Sequence, residues 1–127
     1  MYTYLQGNIP GLSLLIEGES NRVALGEQIK GIIEFNTSET DVTINKLNIA
    51  LMGVREKGRA LKLDRFNVNH SVVIEPNNLL KFQFKMMIDQ SKFEPTTTLE
   101  FDVRIKTSIG EFDSSSSFLH VLSEEMD

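Results

Sequence analysis

The side chains that could carry out chemistry are few in this sequence and are spread widely along it. The two histidines, His70 and His120, stand in separate predicted strands, and neither has a partner at the spacing of a metal motif such as H-E-x-x-H. A metal pair would require those strands to be neighbours, and ordinary strand positions explain both residues better. The residues Ser114 to Ser117 could supply a nucleophile, but no G-x-S-x-G motif surrounds them. We prefer to interpret them as a solvated turn capped by the Asp113 carboxylate.

General acid–base catalysis has no stronger candidates. Glu124 and Glu125 are adjacent carboxylates, but they stand in an acidic end that we expect to be frayed, whereas acid–base catalysis needs positioned groups. The sequence has no glycine-rich phosphate-binding loop and no cysteine. We therefore predict that the protein is not an enzyme and that it has no catalytic residues, no cofactor and no metal ligands.

One segment offers a binding argument based on charge. Between positions 55 and 65 the chain has five basic and two acidic residues, although its overall net charge is -5. Charge-assisted hydrogen bonds from such residues would suit an acidic or phosphorylated protein or peptide. The same pattern is typical of a solvated hairpin face, and that simpler interpretation stays open. The predicted partner-binding residues are Arg55, Lys57, Arg59, Lys62 and Arg65.

Size and composition narrow the class of protein further. A chain of 127 residues suits a single domain, and a domain near this size buries about two thirds of its unfolded surface. The acidic net charge opposes general binding to nucleic acid or to anionic lipid. No apolar run approaches the roughly 18 residues of a membrane-spanning helix, and the first residues lack the basic and apolar regions of a signal peptide. We therefore expect a cytoplasmic protein without an integral membrane segment.

Hydrophobic residues alternate with polar ones through most of the chain, which indicates strands rather than helices. The clearest alternation runs from Leu80 to Ile88, and a second runs from Leu99 to Lys106. Roughly seven to nine short strands at regular spacing predict an all-β protein with an antiparallel, immunoglobulin-like β-sandwich. We expect an N-terminal arm over residues 1–11, a single sandwich domain over residues 12–122 and an acidic tail over residues 123–127.

The stretch from Gly26 to Phe35 and the run from Val42 to Gly53 are interpreted as two strands joined by a polar connection. In the second run the apolar residues stand at even positions before Asn45 and at odd positions after Lys46. A regular strand cannot send both sets to one face, because successive side chains point to opposite sides. We expect one strand with a bend or bulge at Asn45 and Lys46.

In their order and spacing, these segments resemble an arrestin-fold domain. Leu25–Gly31 is similar to the family's Gly-Glu turn and strand, and Val42–Gly53 is similar to its long V-x-I-x-x-(I/L)-x-(I/V)-x-L-x-G strand. Glu75–Asn78 stands where the family has a Pro-Gly-Glu-like turn before an alternating strand, and Asp113 precedes a final strand. Within this fold the chain is most similar to the bacterial and archaeal sporulation-control proteins.

The chain departs from the family pattern at three residues. Leu25 stands where the family usually has proline, and Asn77 and Asn78 replace a Gly-Glu pair. Asparagine tolerates the left-handed conformation that such a turn needs. Arrestins have two such domains, so their interdomain switch is not carried over to this chain, and their basic receptor-binding residues do not match it one by one.

The resemblance and the scattered catalytic groups together imply a non-enzymatic scaffold or regulatory module. Such a module would bind a protein or peptide partner through a sheet face or an edge strand. The first core strand, Leu12 to Glu17, is apolar on both sides, so we expect it to accept a partner or a second copy, which would give a homo-oligomer. Two alternatives stay open: a small-ligand or carbohydrate-binding β-sandwich, and a structural subunit of a larger assembly.

Overall fold

The computed structural model describes residues 2–20, 22–24, 26–37, 40–54, 60–88, 91, 98–116 and 120–121. Strands make up most of this described part. Their bounds are β1 Tyr2–Ile9, β2 Leu12–Gly18, β3 Arg22–Val23, β4 Gln28–Thr37, β5 Val42–Val54, β6 Leu61–Val68, β7 Val72–Ile74, β8 Leu79–Met87, β9 Thr98–Thr107, β10 Gly110–Ser116 and β11 His120–Val121. Nothing in that part of the chain forms a helix with the length and apolarity to cross a bilayer.

The strands form two main sheets that pack face to face. One has the order β1-β2-β4-β8, and the other has the order β10-β9-β5-β6, with β7 paired to β5 beyond the end of β6. All of these pairings are antiparallel, which confirms the predicted sandwich. A short pair, β3 with β11, is parallel and was not expected.

The core consists of the alternate residues that both sheets turn inward. Phe35 and Phe84 from one sheet and Leu51 and Phe101 from the other are almost completely buried in this core. The two alternations seen in the sequence are β8 and β9, which confirms them as strands with one apolar face. Burial of each such side chain contributes about 1.5–3 kcal/mol, so the shared core is the main stabilising element.

The parity change in the long strand is a bulge, as predicted. β5 is continuous, but its register with β9 shifts between Ile44 and Lys46, which leaves Asn45 as the extra residue. Ile44 and Leu47 are consequently both buried. One strand can therefore pair with β7 before the bulge and with β6 after it.

The first residues correct the prediction of an N-terminal arm. Tyr2–Ile9 is strand β1, which forms a hairpin with β2. The Tyr4 ring is only 3% exposed and stacks on Phe101 with ring centroids 5.0 Å apart. Its hydroxyl donates a hydrogen bond to the Ser20 carbonyl. Burial raises the pKa of this hydroxyl above its ordinary value.

The region after β9 also differs from expectation. The turn lies at Ser108 and Ile109, where the Thr107 hydroxyl donates to the Gly110 carbonyl over 2.7 Å. Asp113 and Ser114 to Ser116 belong to strand β10 rather than to a turn, and Ser117 lies outside the described residues. Asp113 lies 3.7 Å from the Arg104 Nε atom. This strand was not predicted because serine has a weak strand preference and a strong association with turns.

The turn before β8 confirms the role expected for asparagine. Asn77 has a φ of 65°, and the Asn78 N–H donates to the Glu75 carbonyl over 3.2 Å. Pro76 at the second position and a left-handed residue at the third are typical of a type II turn. The Asn77 N–H donates to the Thr37 carbonyl over 3.0 Å, which ties the turn to the end of β4.

Close packing between β4 and β8 depends on a glycine. Gly31 pairs with Phe84, and a Cβ added to Gly31 would overlap the Phe84 ring and lie 2.6 Å from the Glu17 carbonyl oxygen. The Phe84 ring fills the space that the missing side chain leaves. From there it makes edge contact with Phe101, at a centroid distance of 6.3 Å.

We predict that Gly31→Ala lowers the free energy of unfolding by about 1–3 kcal/mol, because the added methyl group overpacks the core. Phe84→Leu should be destabilising by itself, since it leaves a cavity. Urea unfolding of the double variant should show a loss smaller than the sum of the two single losses, because the methyl group then meets a smaller neighbour. Strictly additive losses would contradict this account of the glycine.

The buried tyrosine predicts a pH dependence. Because the Tyr4 pKa is raised in the folded state, the unfolded chain loses this proton first, and stability decreases as the pH rises above 10.0. Below that pH the contribution of Tyr4 is fully present. When the free energy of unfolding is measured by urea titration at several pH values across this range, it should decrease less steeply with pH for Tyr4→Phe than for the wild type. A parallel loss of stability in the wild type and in Tyr4→Phe would contradict this role of Tyr4.

Candidate partner-binding edge

The predicted basic segment is placed only in part. Lys62 and Arg65 lie on β6, and both are exposed. Arg55, Lys57 and Arg59 lie outside the described residues. A register shift between Leu51 and Met52 makes Lys62 and Arg65 face the same side of the sheet, although they are three positions apart.

That sheet face is mixed in charge rather than basic. Lys62 pairs with Met52 and Arg65 with Ala50, and the next strand places Glu100 and Asp102 beside those two β5 residues. Each basic side chain therefore has an acidic side chain two strands away on the same face. The segment has a local excess of positive charge, but the fold intersperses it with carboxylates.

The strand predicted to accept a partner is not an edge. Leu12–Gly18 is β2, which pairs with β1 on one side and with β4 on the other. The expectation that Leu12–Glu17 would bind a partner or a second copy is therefore wrong. The strand is apolar on both sides because Leu15 is half-buried on the outer face of the sheet, whereas Leu14 and Ile16 are buried on the inner face.

The edge on the other side of this sheet is β8. It pairs with β4 through a continuous register from Leu79 to Met87, and no other described strand pairs with its far side. The Met87 N–H points away from β4, because it donates to an Asp64 carboxylate oxygen on β6 over 2.8 Å. Backbone groups alternate in direction along a strand. The N–H and C=O groups of Leu79, Lys81, Gln83 and Lys85 therefore also point to the open side.

The side chains of this edge combine positive charge with exposed apolar surface. Leu79 and Met87 are 58% and 43% exposed, and Lys81 and Lys85 lie between them on the same outer face. Lys81 forms an ion pair with Glu34 over 3.4 Å. Lys85 pairs in register with Lys30 of β4, so two exposed lysines stand side by side.

The inner side of the same strand is incompletely covered at one end. Phe84 and Met86 are buried, whereas Leu80 and Phe82 are only half-buried. Phe82 makes edge contact with Phe35, with ring centroids 6.3 Å apart. An added strand along β8 would turn its own alternate side chains toward Leu80 and Phe82 and would bury them further.

Asp64 ties this edge to the opposite sheet. Its Oδ2 atom accepts the Met87 N–H, and its Oδ1 atom accepts the N–H of Arg65 over 2.8 Å. These two backbone donors fix the carboxylate at one end of β8. The backbone row that an added strand could use therefore extends from Leu79 to Lys85 and stops before Met87.

A shallow concavity of about 610 Å³ lies on the outer face of the four-stranded sheet. Its polar lining consists of Gln6, Asn8, Ser13, Glu34 and Asn36. Amide and hydroxyl groups of this kind could bind a small polar ligand, which is where the carbohydrate alternative would be located. That alternative stays a prediction.

Of the groups considered for catalysis, the two histidines are placed, whereas Glu124 and Glu125 lie outside the described residues. His70 lies in the bend between β6 and β7, and the backbone of His120 lies in β11. Within the described part of the chain, no three His, Cys, Asp or Glu residues are grouped so that they could hold a metal ion.

Among solved structures, the chain is similar to the crystal structure of Spo0M, a sporulation control protein from Bacillus subtilis, with a TM-score of 0.71. The chain has an arrestin-like fold. The likeness covers 91% of this chain and 51% of Spo0M, so the chain spans about half of that protein. Sequence identity is 12%, and the likeness therefore shows the fold alone. No protein-family model and no curated protein matches the sequence.

Within this arrestin-like fold, the β8 lysines are candidate residues that the sequence pattern did not single out. Their alternation with Leu80, Phe82 and Phe84 predicted a strand, but no role was assigned to Lys81 or Lys85. The sequence did contain a signal. Lysines stand at positions 81 and 85, on the polar side of the clearest apolar alternation, and lysine is common on edge strands.

The two lysines predict opposite effects on stability. Lys85→Glu replaces a like-charged pair with Lys30 by an opposite-charged pair, so the free energy of unfolding should rise by about 0.2–1 kcal/mol. Lys81→Glu breaks the ion pair with Glu34 and opposes two carboxylates, so it should lower stability by a similar amount. Urea unfolding at low salt measures both, and high salt should shrink both differences. If both variants raised the free energy of unfolding, or both lowered it, the pairing of Lys85 with Lys30 and of Lys81 with Glu34 would be contradicted.

Proposed function

We propose that the chain is a non-enzymatic scaffold or regulatory module that binds an extended segment of a protein partner along the open edge of β8. The observation that carries the proposal is the outward row of backbone groups at Leu79, Lys81, Gln83 and Lys85. Main-chain hydrogen bonds supply affinity in strand addition, and alternate side chains supply specificity. A cytoplasmic location is part of the proposal, supported by the cysteine-free sequence.

Burial supports the same site. A docked strand would direct every second side chain toward the half-buried Leu80 and Phe82, and apolar residues there would remove further surface from water. Such burial stabilises by roughly 25 cal/mol per Å². The partner segment should therefore have apolar residues at alternate positions.

Charge supports an acidic partner. The other side chains of a docked strand would lie beside Lys81 and Lys85, and Lys30 is adjacent to Lys85. Acidic or phosphorylated residues at those positions would form charge-assisted hydrogen bonds. The basic segment predicted from the sequence, Arg55, Lys57, Arg59, Lys62 and Arg65, belongs to the same proposal through its excess of positive charge, which would attract an acidic segment over a distance rather than contact it along β8.

The same charges oppose pairing between two copies of this edge. In an antiparallel pair centred on Gln83, Lys81 of each copy would face Lys85 of the other. Like charges directly opposite one another destabilise a strand pair. A distinct acidic segment therefore fits the edge better than a second copy does.

A proline at the edge tests the proposal. Gln83→Pro removes one outward N–H without removing a hydrogen bond to β4, and proline is tolerated on edge strands. Peptides selected from a random display library against the whole chain should bind Gln83→Pro at least about tenfold more weakly than the wild type, equivalent to 1.4 kcal/mol. Gln83→Ala, which retains the N–H, should bind as the wild type does.

Hydrogen exchange locates the contact. Selected peptides should slow exchange of the outward amides of Lys81, Gln83 and Lys85. Peptides that bind Gln83→Pro equally well would refute strand addition at β8. A wild-type dimer that Gln83→Pro abolishes would assign the edge to a second copy and would also refute the proposal.

A further inference from the structure

The bulge in β6 determines what stands at the end of the β8 edge. Asp64 pairs with Leu51 and Lys62 with Met52, so Leu63 is the extra residue of β6. Bulges redirect the side chains that follow them. Here Lys62 and Arg65 take the outer face of their sheet, whereas Asp64 takes the side that meets β8.

The Asp64 carboxylate is held in place rather than free to rotate away. Its two oxygens accept the Met87 and Arg65 N–H groups, each over 2.8 Å. Hydrogen bonds from backbone donors to a carboxylate are charge-assisted and stronger than neutral ones. The negative charge therefore stays beside Met87, at the point where the row of outward backbone groups ends.

We infer that Asp64 sets the register of the docked strand and reads one of its residues. This inference rests on the proposed function of the β8 edge. Since Asp64 occupies the Met87 N–H, main-chain pairing ends at Lys85, and the partner residue that would follow opposite Met87 meets a carboxylate. A basic residue is favoured there, and an acidic residue is disfavoured.

The recognition pattern follows from the spacing along β8. Acidic residues opposite Lys81 and Lys85 are four positions apart in the partner, and the residue opposite Met87 is two positions beyond the second of them. The segment that fits is therefore acid-x-x-x-acid-x-basic, with apolar residues at the intervening inward positions. Reading the pattern backward gives the opposite strand direction, with the basic residue still at the Met87 end.

Two synthetic peptides test this residue directly. They share alternating valine and threonine with glutamate at the two acid positions, and they differ only in lysine or glutamate at the position opposite Met87. Fluorescence anisotropy at low salt should show that the wild type binds the lysine peptide about threefold to fivefold more tightly, as expected for one surface ion pair.

Variants of Asp64 separate specificity from folding. Asp64→Asn keeps an acceptor for the Met87 N–H but removes the charge, so it should bind both peptides equally. Asp64→Lys should reverse the preference. Asp113→Asn, on the exposed face of β10, should retain the wild-type preference, and thermal unfolding should confirm that each variant is folded.

The possible failures are distinguishable. If Asp64→Asn still prefers the lysine peptide, Asp64 does not read that residue, and the inference is wrong although strand addition stands. If both peptides bind Gln83→Pro as tightly as Gln83→Ala, their affinity does not depend on the Gln83 N–H, and the proposed function itself fails. If protection from exchange extends past Lys85 to new partner amides in the wild type, Asp64 does not set the register.

Discussion

Three aromatic rings of the core lie where glycines leave room for them, and the two sheets depend on this fit. The Phe112 ring occupies the space beside Gly7, and the Phe84 ring occupies the space beside Gly31. The Tyr4 ring lies over Gly18 in the same way. The rings come from three strands, and Tyr4 and Phe84 both contact Phe101 at the centre. Interiors are close-packed, so a methyl group at any of these glycines would displace a ring that many others contact.

This packing allows β8 to remain a sheet edge without loosening. Phe84 and Met86 anchor it in the core, so its stability does not require a second neighbouring strand. Exposed edges favour uncontrolled association, and proteins limit this with lysine, bulges and short strands. β8 has two lysines on its outer face, and a bulge in β6 brings a carboxylate to its end. Protection against self-pairing and selection of an acidic partner are consequences of the same charges.

Local patterns in the sequence were enough to predict the sandwich, the bulge at Asn45 and the left-handed Asn77, because each depends on side-chain parity or on the conformational range of one residue. Strand β1 was missed because its apolar residues, Tyr4, Leu5 and Ile9, do not alternate across the register shift near Thr3. The edge was misplaced for a different reason. Whether a strand is central or peripheral depends on which strands pair, and the apolar periodicity of β2 or β8 does not report this.

The basic segment shows why charge along the chain is a weak guide to charge on a surface. Lys62 and Arg65 are close in sequence to Asp64, yet the β6 bulge sends the carboxylate to one side and both cations to the other. The cations then share their face with Glu100 and Asp102 from β9, a strand far away in sequence. Along β8, by contrast, strict alternation keeps both lysines on one face, where Lys85 stands beside Lys30 and Lys81 beside Glu34. The regular strand β8 therefore keeps its positive charges on one face. The bulged strand β6 separates its charges: Lys62 and Arg65 lie on the outer face of their sheet, and Asp64 lies at the end of the β8 edge.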